Sequence, residues 1–128
     1  MYNLLNHEPR KIVTRIAIPT FRMKVSPVFD SCSRVILVDI EKNREVDRKE
    51  FYLDALSLNE RLTILHKSGV DVVICSGISE VMEKLVVGKK IELIGNITGE
   101  IESVLKAYLT GELGPGFHAP ANHKDTHI

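Results

Sequence analysis

Only two cysteines, Cys32 and Cys75, occur among the 128 residues of this chain. They form no CxxC pair, and no four-ligand zinc pattern is present. An excess of one charge is missing too: seventeen Lys and Arg balance seventeen Asp and Glu. That balance leaves no electrostatic footprint for nucleic acid and no basic face for a membrane surface. No apolar run approaches the roughly 20 residues that span a bilayer. The first residues, "MYNLLNHEPRK", lack the apolar core of a secretory signal. The expected compartment is therefore the cytoplasm, where both thiols stay reduced. Catalytic signatures are absent as well: there is no GxGxxG, Walker loop, GxSxG or HExxH. No histidine lies near either cysteine by sequence, so Cys–His catalysis has no partner. The expectation is a protein that is not an enzyme.

What is present suits one α/β domain: 44% hydrophobic and 27% charged residues, enough for an appreciable core. Residues 1–11 read as a flexible leader, 12–113 as the domain, and 114–128 as a flexible tail rich in Gly, Pro and His. "KIVTRIAIPT" (11–20) reads as a β-branched strand stopped at Pro19. "RVILVDIE" (34–41) reads as a second strand, and "REVDRKEFYL" (44–53) as a charged edge strand. From Ser57 the period becomes helical, with Ser57 and Glu60 in capping-box spacing. Leu58, Leu62 and Leu65 form its stripe, and Gly69 stands at the C′ position. A second helix carries Ile78, Val81, Met82, Leu85 and Val86 and closes at Gly88. A third carries Ile101, Val104, Leu105, Tyr108 and Leu109, opened by Thr98 and closed by Gly111. Between the helices, "VDVVIC" (70–75) and "IELIG" (91–95) read as short buried strands.

The order β-β-β-α-β-α-β-α implies an antiparallel meander followed by right-handed parallel crossovers. The expected sheet is five-stranded and mixed, of order 3-2-1-4-5, with helices on both faces. Its order reverses between strands 1 and 4, where open α/β sheets bind ligands beyond the carboxyl ends of the strands. Two segments meet there: "TFRMKVSPVFDSCS" (20–33) and "CSGIS" (75–79), the second leading into a helix N-terminus that favours an anion. Both cysteines fall on this rim. Cys75 reads either as a small apolar filler ending a buried strand or as a thiol delivered to the crevice. Cys32, between Ser31 and Ser33, reads less as core than as a loop thiol. His118, His123 and His127 in the tail could gather a metal, or belong to a solvated terminus. The return path from the third helix to the crevice is taut. His66 reads as a surface residue.

"RIAIPTFRMKVSPVFDSCSRVILVDIE", "GVDVVICSGIS" and "GEIESVLKAYLTGEL" together resemble the dinitrogenase iron–molybdenum cofactor-binding family. That family includes carriers used in nitrogenase cofactor biosynthesis and many relatives in bacteria and archaea. The match runs over roughly residues 14–113, through Val25, Ser26, Pro27 and Phe29, the GVDVVI strand with Gly77, and the AYLTGEL helix end. The resemblance implies a ribonuclease H-like fold and non-catalytic binding of a metal–sulfur cluster or its precursor. Many relatives place His and Gly where Val28 and Asp30 stand here, so the usual histidine positions are mostly vacant.

The candidate cofactor-binding residues are Ser26, Asp30, Cys32, Cys75, Ser76 and Gly77. The candidate metal ligands are Cys32, Cys75, His118, His123 and His127. Soft thiolates suit an iron–sulfur or iron–molybdenum–sulfur species. Two fall short of the usual four, which a homodimer sharing the cluster would reconcile. The expected partners are cluster donor or acceptor proteins. The alternative is a regulatory or interaction module binding a small anion at the helix after strand 4, with structural cysteines. A nuclease, suggested by topology alone, lacks an acidic ligand on "TRIAIPT".

Overall fold

A computed structural model describes residues 12–114 and 116–119. The expected leader, His123 and His127 lie outside the described residues. The elements are β1 (Val13–Phe21), β2 (Lys24–Val25), a 3-10 turn (Phe29–Ser31), β3 (Arg34–Glu41), β4 (Arg44–Tyr52), α1 (Leu58–Lys67), β5 (Val72–Ile74), α2 (Glu80–Gly88), β6 (Glu92–Ile94) and α3 (Ile101–Leu109). They build a mixed α/β sheet with three helices. Among the described residues the sheet has six strands rather than five. The sheet runs β4-β3-β1-β5-β6, with β2 attached to β1, and so differs from the expected five-strand listing by that added strand. β1, β3 and β4 pair antiparallel, while β1, β5 and β6 pair parallel.

Strand side chains alternate between the two faces, and the apolar ones are sorted accordingly. Ile16, Ile18, Ile36, Val38 and Ile74 pack with Ile101, Val104 and Leu105 of α3. On the opposite face, Ala17, Val35, Leu37, Val73 and Cys75 pack with Leu62 and Leu65 of α1 and Met82 and Val86 of α2. Each fully buried aliphatic side chain contributes roughly 1.5–3 kcal/mol, so the central strands are held from both sides. β4 is exposed along nearly its whole length, and its charges cover the sheet edge as expected.

The Ser57–Glu60 capping box forms. Gly69 and Gly111 take positive φ, 74° and 77°, just past the C-caps of α1 and α3. Other expectations are corrected. Pro19 does not stop β1, which continues to Phe21 and pairs Pro19 with Val35. On its other side β1 pairs with β5 only at Ile16 and Ala17, so Pro19 sits where the partner strand changes. There it acts as an acceptor, its carbonyl taking the Ser26 N–H at 2.8 Å. Thr98 does not open α3: the N-cap is Glu100, whose side chain makes no cap bond. Gly88 is the last residue of α2, and the left-handed residue comes later, at Lys90 (φ 62°). Val81 lies at the margin of its apolar stripe and is exposed.

Residues 117–119, which composition places in the tail, run beside Thr98. The Thr98 N–H donates to the Phe117 carbonyl and the Ala119 N–H to the Thr98 carbonyl, at 3.2 and 3.0 Å. Ala119 is buried in the α3-side core.

Candidate functional site

The gap above the last β1–β5 pair is closed by the chain itself. Val28 forms a parallel bridge with Gly77. The Gly77 N–H donates to the Pro27 carbonyl and the Phe29 N–H to the Gly77 carbonyl, each at 2.8 Å. Phe29 is fully buried and serves as the plug's apolar anchor. The crevice expected between the first and fourth strands is thus filled by Pro27–Phe29. Gly77 is no free donor, because its N–H is spent on Pro27.

Beside this plug, the N-terminus of α2 is also spoken for. Ser79 is its N-cap, and the Ser79 Oγ accepts from the Met82 N–H at 3.1 Å. The Ser79 N–H donates to the Asp30 carboxylate at 2.9 Å, and the Ser79 hydroxyl donates to the same group. A carboxylate there satisfies the positive end of the helix. Asp30 therefore stands where an exogenous anion was expected.

Both thiols lie beneath the rim. Cys75 is 0% and Cys32 4% exposed, within one core cluster on the α1/α2 face. The two sulfurs share a side of the sheet, but they face core rather than an open crevice. Cys32 does lie in the loop, at the C-cap of the 3-10 turn, but it is buried rather than exposed. The turn tucks it inward and Arg61 covers it. Arg61, itself 5% exposed, donates from Nη1 to the Cys32 carbonyl at 2.7 Å and to the Cys32 Sγ at 3.5 Å. Its Nε donates to the Leu56 carbonyl at 3.2 Å. Sequence reasoning missed Arg61, although a signal existed. Four residues before Leu65 and three after Leu58, it sits on the buried stripe of α1, where a cation needs buried acceptors.

Burial pushes the Cys32 thiol up, opposed by Arg61. Burial, then the charges of Asp30 and Glu83, pushes Cys75 up to about 12. A raised folded-state value favours the protonated thiol, so the stabilisation is complete below the unfolded value and is lost as pH rises through the folded one. Unfolding free energy should therefore fall as pH climbs from about 9 toward about 12. In Cys75→Ala that alkaline decline should be shallower. Equal slopes in urea titrations of the two proteins would count against a proton held on Cys75.

The other candidates are dispersed. His118 is exposed, and its Nδ1 contacts the Thr98 hydroxyl. The chain does return to the carboxyl end of the sheet, but on the α3 face, opposite the thiols. His66 is exposed, as expected. Ser26 is buried in the rim segment. Ser76 and Gly77 border a different, open hollow of about 390 Å³ with Leu93, Gly95 and Asn96, at the carboxyl ends of β5 and β6. Among the described residues, no three His, Cys, Asp or Glu side chains gather as metal ligands. Ligating sulfur must be deprotonated, so two buried, protonated thiols do not fit a thiolate-held cluster as they lie. No helix among the described residues is long and apolar enough to cross a membrane.

Fold and rim together define an α/β domain whose switch point is sealed by its own loop. The family model described as dinitrogenase iron-molybdenum cofactor matches residues 11–111, and the chain belongs to that family. No curated protein matches it. Among solved structures, PH0822 superposes with a TM-score of 0.75 at 22% identity, covering 80% of this chain and 94% of that one. A Methanocaldococcus jannaschii protein provisionally named a dinitrogenase gives 0.67 at 26% identity, covering 81% and 95%. A Thermotoga protein provisionally named NifB, of the DUF35 family, gives 0.64 at 16% identity, covering 85% and 99%.

Proposed function

We propose that this chain is a non-catalytic protein that takes up and hands on a metal–sulfur cluster, or its precursor, of the iron–molybdenum cofactor type. The observation that carries the reading is family membership over residues 11–111. The cluster is cargo rather than a resident group, and the sealed rim gives uptake a definite requirement. The Pro27–Asp30 segment must lift from Gly77 and Ser79 before Cys32 and Cys75 can meet a ligand. The ties to be released are the backbone bonds at Gly77 and the Asp30–Ser79 contacts. Lifting breaks the two backbone bonds at Gly77, at about 1 kcal/mol each. It also draws the fully buried Phe29 out of the core, at a further ~1.5–3 kcal/mol. The open form is therefore a minor state that cluster binding must stabilise. Once lifted, the thiols lose the burial that keeps them protonated.

In this reading the chain has a ribonuclease H-like fold, works in the cytoplasm, and exchanges its load with cluster donor and acceptor proteins. A homodimer would let two copies share one cluster and complete its ligation. The alternative anion-binding module meets the Asp30 carboxylate at the N-terminus of α2, a like charge, and is disfavoured by it.

Anaerobic reconstitution with iron and sulfide, with and without molybdate, tests the reading. Wild-type protein should retain metal after desalting and develop charge-transfer absorbance. The Cys32→Ser plus Cys75→Ser variant should lose both. Retention by that variant would remove the thiols from the mechanism, and metal-free wild-type protein would end the carrier reading.

A further inference from the structure

We propose that the α3 face of the sheet carries a second site, for a small organic anion with a carboxylate or phosphate group on an apolar body. A hollow of about 390 Å³ opens there, at the carboxyl end of β1. Its size lies within the ~300–1,000 Å³ range of small-molecule sites. Ile36 and Ile101, 8% and 3% exposed, give it an apolar floor. Met23, largely exposed, stands on the β1–β2 turn that borders it.

The rim carries both signs, with Glu50 and Glu102 lining the hollow beside Arg22, Arg34, Arg48 and Lys49. Because Arg48 takes two carboxylates, the ion pairs still leave one cation over. Arg34 pairs with Glu50 at 3.2 Å, Arg48 with Glu45 at 2.7 Å and Glu102 at 2.8 Å, and Lys49 with Asp47 at 3.9 Å. Arg22 remains. Among the described residues its guanidinium has no carboxylate, and it rests over the Phe21 ring, 5.1 Å from the centroid. Arg34 likewise lies over the Tyr52 ring, at 5.9 Å. Its pair with Glu50 is single-pointed and exposed, the kind that holds a side chain weakly. An aromatic face steadies a guanidinium while leaving its N–H edge open to an oxyanion.

A separate observation points into the same space. Thr20 lines the hollow and is 8% exposed, yet among the described residues its hydroxyl has no hydrogen-bond partner. Buried hydroxyls ordinarily have one. Two guanidinium groups and a waiting hydroxyl suit the oxygens of an acid group. The apolar floor suits the body attached to it and gives a bare inorganic ion nothing to cover. This site lies across the sheet from the thiols, so it stands apart from the cargo reading.

The full chain titrated with phenyl phosphate and with benzoate, followed by calorimetry and amide NMR shifts, tests the assignment. Inorganic phosphate and benzyl alcohol serve as half-probes. At least one aromatic anion should bind saturably, with shifts around Thr20, Ile36 and Ile101, and more tightly than either half-probe. Saturation by phenyl phosphate alone assigns a phosphate ester, and by benzoate alone a carboxylate. Arg22→Asn, which suits the positive φ of 51° at that position, should weaken binding about tenfold, as loss of a charge-assisted contact does. Thr20→Val should weaken it as well. The proposal is overturned if neither aromatic anion saturates, if inorganic phosphate binds as tightly as phenyl phosphate, or if Arg22→Asn and Thr20→Val bind like the wild type.

Discussion

Gly77→Ala should destabilise this protein by roughly 3 kcal/mol, far beyond the usual cost of adding a methyl group near a surface. A Cβ at position 77 would meet the Pro27 carbonyl oxygen at 2.7 Å, and that neighbour is backbone. Relief requires the rim segment to move, which breaks the Gly77–Pro27 and Phe29–Gly77 hydrogen bonds. Two bonds at about 1 kcal/mol each, together with the low end of overpacking, about 1 kcal/mol because the segment moves to relieve the clash, give that figure. Phe29 would lose its seat, and both thiols should alkylate faster in the native state. Gly95→Ala is the control, because a Cβ there meets nothing within 4 Å. A urea midpoint for Gly77→Ala no lower than that of Gly95→Ala would show that the rim is not fastened through residue 77.

Arg61→Ala should cost a similar amount, about 3 kcal/mol. Truncation strands the carbonyls of Cys32 and Leu56, each at about 1–3 kcal/mol when left buried and unpaired. It also strips the aliphatic stem that packs within α1's buried face. Arg61→Met separates these contributions, since it keeps most of the volume and loses only the donors. That variant should retain about two-thirds of the loss, the share of the two stranded carbonyls at about 1 kcal/mol each. A second readout is specific to the charge. Arg61 attracts the Cys32 thiolate and so opposes the upward push of burial. In a Cys75→Ala background, Arg61→Met should shift the pH midpoint of Cys32 alkylation upward. A downward shift, or none, would mean that the guanidinium does not act on the sulfur.

The elements that could be read from the chain were those fixed by short-range rules. The Ser57–Glu60 box, the Leu62 and Leu65 stripe and the glycine after it depend on neighbours within one or two turns, and each formed. The order of the long strands followed from connection lengths and crossover handedness. What escaped depends on distant partners. β2 is only two residues long and exists because Thr20 and Phe21 find Val25 and Lys24 where β5 has ended. Pro19 is tolerated for the same reason. Thr98 resembles a cap by type, yet its backbone is claimed by Phe117 and Ala119. At the site, sequence placed the two cysteines on one rim of the sheet, but a polar neighbourhood made Cys32 look exposed. Its burial depends on Phe29 and Arg61, one of them a helix away, and no local pattern announces that.

The sheet has a practical consequence as a partition. Cys32, Cys75 and Phe29 belong to one core cluster, whereas Val25, Ile36, Ile101 and Ala119 belong to the other. Substitutions that share no partners contribute nearly independent energies. Damage to one compartment should therefore leave the other's ledger unchanged, and a double variant spanning the two should show the simple sum of its parts.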